Sequence, residues 1–245
     1  MKTNTNPDSY IVQIARFDPS KGIVDVLVSY EKFYNKLVAE APNMVPPKLL
    51  ICGHGSVDDP DGGKIYDEVI EYLDTKVPDI RHLICAMRVR PCDQVLNAIL
   101  SKATVALQLS TSEGFEIKVS EAIHKGKPVI ATRAGGIPLQ VAHEKNGFLV
   151  DVGDTDAVAQ RLFELWTDHD LYLRMSEYGI HNVSDEVSTV GNALDWMYLS
   201  ATLSRGESVR PNGRWIYDMA FEKLGIPNKD DELRLKRAVK VENMG

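Results

Sequence analysis

Six short, nearly continuous apolar stretches constrain this chain more than any other feature: Tyr10 to Ile14, Lys48 to Cys52, His82 to Ala86, Ala103 to Leu109, Pro128 to Ala131 and Gly147 to Val150. A strand that is apolar on both faces must be covered on both faces, which is the habit of parallel sheets flanked by helices. Tyr66 to Leu73 recurs at helical spacing between two of these stretches, and Ile117, Ala122 and Ile123 do so after another. Strand alternating with helix requires crossover connections, so the expected fold is α/β, a doubly wound, mostly parallel six-stranded Rossmann-like sheet. After Val150 the pattern is helical only, over 155–166, 171–178 and 189–203. The expected division is a polar leader at 1–9, the sheet domain at 10–186, C-terminal helices at 187–225 and a charged, frayed tail at 226–245. Trp196, Met197, Tyr198 and Leu199 read as a packing face. No internal repeat or low-complexity tract interrupts the pattern.

Ligands of open α/β sheets bind at the carboxyl ends of the strands, where the next helix offers unpaired N–H groups and partial positive charge. Two loops occupy such positions. Ala15-Arg16-Phe17-Asp18-Pro19-Ser20-Lys21-Gly22 follows the first strand and sets two cations five positions apart. Pro19 fixes a turn and Gly22 relaxes the backbone, so Arg16 and Lys21 can converge on an anion, Arg through its planar fork and Lys as a point charge. The competing reading is a solvated charge pair. Ser112-Glu113-Gly114-Phe115-Glu116-Ile117-Lys118-Val119-Ser120-Glu121 follows the fourth strand and sets Glu113 and Glu121 eight positions apart. If wholly helical, that span is roughly 12 Å. A retaining glycosidase needs its carboxyl groups about 5 Å apart. The spacing therefore favours two carboxylates holding different parts of one polar ligand. The alternative makes Glu121 an exposed partner of Lys125 and Glu113 part of the helix start.

These residues, with Gly53-His54-Gly55 after the second strand and Gly135-Gly136-Ile137-Pro138 after the fifth, resemble the carboxyl-terminal domain of retaining GT-B glycosyltransferases of family four. Within that family the Glu113 to Ala122 segment and the Ala193 to Leu199 segment look most like the fungal trehalose phosphorylase group. The resemblance implies that Arg16 and Lys21 hold the phosphate of the donor or leaving group. It makes Glu113 the carboxylate on the sugar hydroxyls, lines the sugar and phosphate with Gly114 and Phe115, and sets the helix N-terminus near Ile117 against the anion. Glu121 matches the residue that holds the ribose in nucleotide-sugar enzymes, while His54 and Gly55 lie near the ligand. Glu116 departs from the pattern, standing where many relatives carry Gly. That departure fits phosphate or glucose 1-phosphate in place of a nucleotide sugar. The implied chemistry is retaining glucosyl transfer without an enzyme nucleophile, with Glu113 orienting rather than attacking. A nucleotide-sugar-dependent transferase and a non-catalytic sugar-phosphate-binding fragment are the alternatives. An acceptor-binding amino-terminal domain is the partner such chemistry needs, and the last helix of the family crosses back to it, leaving part of the Trp196 cluster exposed here.

Composition limits the remaining classes. The 245 residues are 44% hydrophobic and 26% charged, enough for a sizeable core. A net charge of −7 with scattered basic residues argues against nucleic acid, which requires a basic surface. No run of about 18 apolar residues and no leading signal pattern points to a membrane or to secretion. Three Cys without ligand spacing read as reduced cytosolic thiols. Asp154-Thr155-Asp156 mimics a metal motif, yet it opens a helix and is more simply a cap. The six His lack a paired spacing, so neither a metal nor another cofactor is expected. Arg88 and Arg90 either approach the crevice or are merely solvated. An uncovered apolar interdomain face would favour self-association into a homo-oligomer.

Overall fold

The computed structural model describes residues 9–53, 62–183, 186 and 188–225. In chain order the elements are β1 (Tyr10–Ile14), α1 (Ile23–Glu40), β2 (Lys48–Gly53), α2 (Gly62–Thr75), β3 (Ile84–Arg88), α3 (Asp93–Lys102), β4 (Val105–Gln108) and α4 (Ile117–His124). They continue with β5 (Val129–Thr132), β6 (Gly147–Val150), α5 (Thr155–Thr167), α6 (His169–His181), α7 (Thr189–Ser204) and α8 (Ile216–Lys223). The chain divides into two compact units after His181. His54, Gly55, the leader up to Asp8 and the tail from Ile226 lie outside the described residues.

The first unit is the expected doubly wound sheet. Its order is β3-β2-β1-β4-β5-β6 and every neighbouring pair is parallel. β4, β5 and β6 are buried at every position, because helices cover both faces. The core runs from Phe33 and Leu37 of α1 across Leu107, Ile130 and Phe148 to Leu162 of α5. Each fully buried side chain of this size contributes roughly 1.5–3 kcal/mol. Trp166 is buried and satisfies its indole N–H on Val45 O at 3.1 Å. Asp154 accepts the Ala157 N–H at 2.9 Å, so the Asp-Thr-Asp sequence is the helix cap of α5.

The third strand departs from the expected span. Pro78–Leu83 forms a 3-10 turn and the ladder starts only at Ile84, running on to Arg88. Pro78 favours the start of a helical turn, and Arg81 donates to Ile84 O at 2.9 Å, which holds that turn against the strand. The fourth strand is likewise shorter than its apolar run, since Ala103 closes α3 by donating to Ile99 O at 3.2 Å.

The second unit contains α7 and α8. Ser188 caps α7 by accepting the Gly191 N–H at 3.0 Å. Of the aromatic and aliphatic cluster expected to pack, Trp196 and Met197 are exposed, whereas Tyr198 and Leu199 are half-buried. The four residues are consecutive, and consecutive helical positions point in different directions, so they cannot share one face. Among the described residues no helix is long and apolar enough to cross a membrane.

Gly22 shows how tightly the first loop is seated on the sheet. Its φ is 59° and a Cβ placed there would lie 1.9 Å from Leu109 O. Strain in the left-handed region and the clash act together. Gly22→Ala is expected to cost about 2–4 kcal/mol in urea unfolding; an unchanged midpoint would mean that the loop is not pressed against β4.

Candidate functional site

The sheet reverses its winding between β1 and β4, and the loops that follow these two strands flank that switch point. In the first loop Asp18 Oδ1 accepts from Ser20 N at 2.8 Å and from Ser20 Oγ at 2.6 Å, while Pro19 opens a 3-10 turn that ends at Lys21. The turn carries Lys21 inward, where it is buried. In the second loop Thr111 N donates to Ser20 O at 2.7 Å, tying the two loops together by backbone.

Two buried glutamines fix their relative position. Gln13, within β1, donates from Nε2 to Lys21 O at 2.8 Å and accepts the Leu109 N–H on Oε1 at 3.1 Å. Gln108, within β4, donates to Ser110 Oγ at 3.0 Å and to Glu116 Oε2 at 3.2 Å. Thr132 of β5 donates to Ser110 O. A buried amide that failed to find such partners would cost about 1–3 kcal/mol, so these residues specify one arrangement of the loops.

Lys21 Nζ lies at the centre, donating to Glu113 Oε2 and, at 3.1 Å, to Glu116 Oε2. Glu113 also accepts from Ser110 Oγ at 3.2 Å and from Gly114 N at 3.2 Å. The side chains of Lys21, Glu113 and Glu116 are 9%, 14% and 11% exposed, which places the triad outside the weak surface regime of ion pairs. Burial opposes the Lys21 charge, but the two carboxylates outweigh it and raise the ammonium pKa. Burial also works against an ionised Glu113, yet the Lys21 hydrogen bond and charge hold its carboxyl below the usual range. For Glu116 burial wins: with the negative Glu113 beside it, the carboxyl is raised despite Lys21.

Glu116 has φ 61° and ψ 78°, in the left-handed region. Its carboxylate accepts the Lys118 N–H at 3.4 Å and so covers the start of α4. Behind the loop, Gly136 N donates to Gly114 O at 2.7 Å. Gly135, at φ 51°, approaches so closely that a Cβ would lie 1.7 Å from Glu113 O. Gln140 accepts from Ser120 Oγ at 2.7 Å and donates to Phe115 O, closing the same corner. In front of the triad opens a cleft of about 230 Å³ walled by Arg16, Lys21, Glu116 and Lys118, with Gly53 and Leu96 beside them.

Residues 2–182 match the glycosyl transferases group 1 family. The chain belongs to this family. It is 53% identical over 232 residues to a trehalose phosphorylase of Pleurotus pulmonarius, an alignment covering 93% of this chain and 31% of that protein. It is 37% identical over 156 residues to a trehalose synthase of Thermococcus litoralis, covering 63% of this chain and 35% of that protein. The chain therefore spans about a third of the length of these relatives. Among solved structures, sucrose-phosphate synthase from Thermosynechococcus elongatus superimposes with a TM-score of 0.67 at 22% identity, over 82% of this chain and 46% of that one. That likeness is one of fold.

Within this glycosyltransferase domain, Arg16, Lys21 and Glu116 line one cleft, and Glu113 joins them through its pair with Lys21. Gly114 and Phe115 are exposed on the adjoining loop, and Ile117 is the exposed first residue of α4. Arg16 and Lys21 do not converge alone: Arg16 lies 3.8 Å from Asp18, and Lys21 is already bound by two carboxylates. Glu121 pairs with Lys118 at 2.7 Å, rather than with Lys125. Arg88 stacks over Tyr66, 5.2 Å from the ring centroid. Among the described residues no cluster of His, Cys, Asp and Glu is arranged to hold a metal ion. The residues sequence reasoning missed are Gln13, Gln108, Ser110, Thr132 and Gln140. Their signal was present in Gln13 and Gln108, each a polar interruption of an apolar strand beside the switch point.

Removing the cation would leave two carboxylates facing each other, a defect on the order of 3 kcal/mol for buried pairs. Lys21→Met is expected to lower stability by about that amount at pH 7 in urea unfolding. The deficit should shrink below about pH 4.5, because the stability that Glu113 contributes through its depressed pKa is lost as it protonates. An equal deficit at pH 4 and pH 7 would assign the effect to packing instead.

Proposed function

We propose that this chain is the donor and phosphate half of a retaining glucosyltransferase that works as a trehalose phosphorylase, converting trehalose and phosphate into glucose and α-glucose 1-phosphate. The observation that carries this reading is the 53% identity over 93% of the chain to a protein of that name. Acceptor recognition is assigned to the remainder of the relatives' length, which this chain does not span.

The cleft at the switch point suits the chemistry. The bond from glucosyl C1 to the bridging oxygen breaks, and a bond from C1 to a phosphate oxygen forms on the same face. The proton carried by the phosphate passes to the departing sugar oxygen, so the exchange balances without an enzyme base. Positive charge develops on the sugar and negative charge on the leaving oxygen. Arg16 and Lys21 hold the phosphate, each charged hydrogen bond stabilising the developing anion by a few kcal/mol. Gly114, Phe115 and Ile117 line the sugar and phosphate. Glu113 accepts hydroxyl hydrogen bonds from the glucosyl unit. Its carboxylate is already engaged by Lys21, Ser110 and the Gly114 N–H, a delocalised charge with little nucleophilic power. Glu121 is left to its pair with Lys118, which fits a site that holds no ribose.

Calorimetric titration of this chain with α-glucose 1-phosphate, phosphate, UDP-glucose and ADP-glucose tests the assignment. Binding of the sugar phosphate is expected, weakened at least about tenfold by Arg16→Ala or Glu113→Gln, as for loss of one charge-assisted hydrogen bond. Preference for a nucleotide sugar would move the assignment to a synthase, and no binding would leave a non-catalytic fragment. In the catalytically complete protein, mass spectrometry during turnover should find no glucosyl adduct on Glu113; a trapped adduct would refute same-face transfer.

A further inference from the structure

Every cation on the described wall of the cleft is already neutralised by the chain itself. Arg16 faces Asp18, Lys118 is paired with Glu121, and Lys21 serves Glu113 and Glu116 together. One ammonium cannot neutralise two carboxylates, so the site carries a surplus negative charge where the proposed ligand is an anion. Glu116 is the surplus member. Glu113 has Ser110 and the Gly114 N–H besides Lys21, whereas Glu116 shares Lys21, receives Gln108 at 3.2 Å and has only a 3.4 Å contact with the Lys118 N–H. Glu116 also lines the cleft, and Glu113 does not.

Its backbone adds a second observation. Glu116 is one of three non-glycine residues with positive φ among those described, a conformation that costs roughly 1–2 kcal/mol for a residue with a Cβ. Glycine would occupy the position without strain. The contacts of the carboxylate with Lys21 and Gln108 offset that strain, so the side chain itself accounts for a residue other than glycine here.

Resting on the proposed phosphate site, we infer that Glu116 is a proton-linked gate: a phosphate dianion reaches Lys21 only as Glu116 takes up a proton and turns from competing anion to hydrogen-bond donor. The step is balanced. One proton leaves solvent for the Glu116 carboxylate, its O–H then donates to a phosphate oxygen, and Lys21 exchanges one carboxylate partner for the ligand while keeping Glu113. The groups that face Glu116 set the direction. Lys21 stabilises the ionised form, Glu113 opposes it, Gln108 and the Lys118 N–H donate to it, and Arg16 and Lys118 flank it across the cleft. Burial pushes its carboxyl pKa upward, so the proton is accepted at less cost here than in water. Affinity for the dianion is therefore highest where Glu116 is protonated and falls as pH rises through its raised pKa.

Isothermal titration of this chain with inorganic phosphate and α-glucose 1-phosphate, between about pH 5.5 and 8.5 and in buffers of different ionisation enthalpy, reads both affinity and proton uptake. Glu116→Gln keeps the shape without the charge, and Glu116→Gly relieves the positive φ, so one of the pair folds even if the other is impaired. Ionisation of the ligand is common to all three proteins and cancels in the comparison. Both variants are expected to bind phosphate on the order of tenfold more tightly at about pH 8, the worth of one pKa unit of coupling, with an advantage over the wild type that shrinks as pH falls. The wild type should take up more protons on binding than either variant. Equal affinities and equal proton uptake at every pH, in proteins whose binding still depends on Arg16, would overturn the gate and leave the phosphate site standing. Absence of phosphate binding in all three proteins at every pH would overturn the site and the gate together.

Discussion

Pairing of β1 with β4 is the constraint on which the rest of the site depends. Ile11 lies against Val105 and Val12 against Ala106, strands that the sequence separates by two whole strand-and-helix units. A doubly wound sheet reverses its winding once, and here the reversal falls between these two strands. The loops that follow them must then run apart to opposite faces and open a crevice between them. Lys21 from one loop and Glu113 and Glu116 from the other meet because of that pairing. No local propensity would bring them together.

The crevice is shaped by polar groups that the sheet cannot leave unpaired. Gln13 and Gln108 occupy strand positions that are otherwise apolar, and both are buried. Each satisfies its amide only on the loop beyond its own strand or on the neighbouring loop, so the sheet dictates the loop geometry. Close backbone approach does the remainder: Gly22 is pressed on Leu109 and Gly135 on Glu113. The cations and carboxylates stand on this frame, which is rigid because burial makes each missing hydrogen bond expensive.

The electrostatic character follows. The crevice holds a buried positive charge, Lys21, together with the carboxylates that keep this charge tolerable when buried. Lys21 is held by two of them, and the two respond oppositely: Glu113 is depressed and Glu116 raised. Carboxylates pushed apart in this way, side by side around one ammonium, differ in how readily each takes up a proton.

Apolar runs and turn residues alone determined the six strands, their parallel arrangement and the two loops that meet at the switch point, because burial on both faces and the special backbone of Pro19 and Gly22 leave their mark in the residue types. The Asp154 cap was readable for the same reason. Where the third strand begins was not readable, since His82 and Leu83 adjoin the apolar start of the strand and only the turn from Pro78 to Leu83, with Arg81 bonded to Ile84 O, keeps them out of the ladder. The tertiary structure alone decided that Lys21 faces two glutamates, and that Glu121 turns to Lys118. It also made Gln13 the tie between the two loops. Those choices depend on which residues distant in sequence meet across the switch point, and pairwise distance is a property that spacing along a chain does not contain.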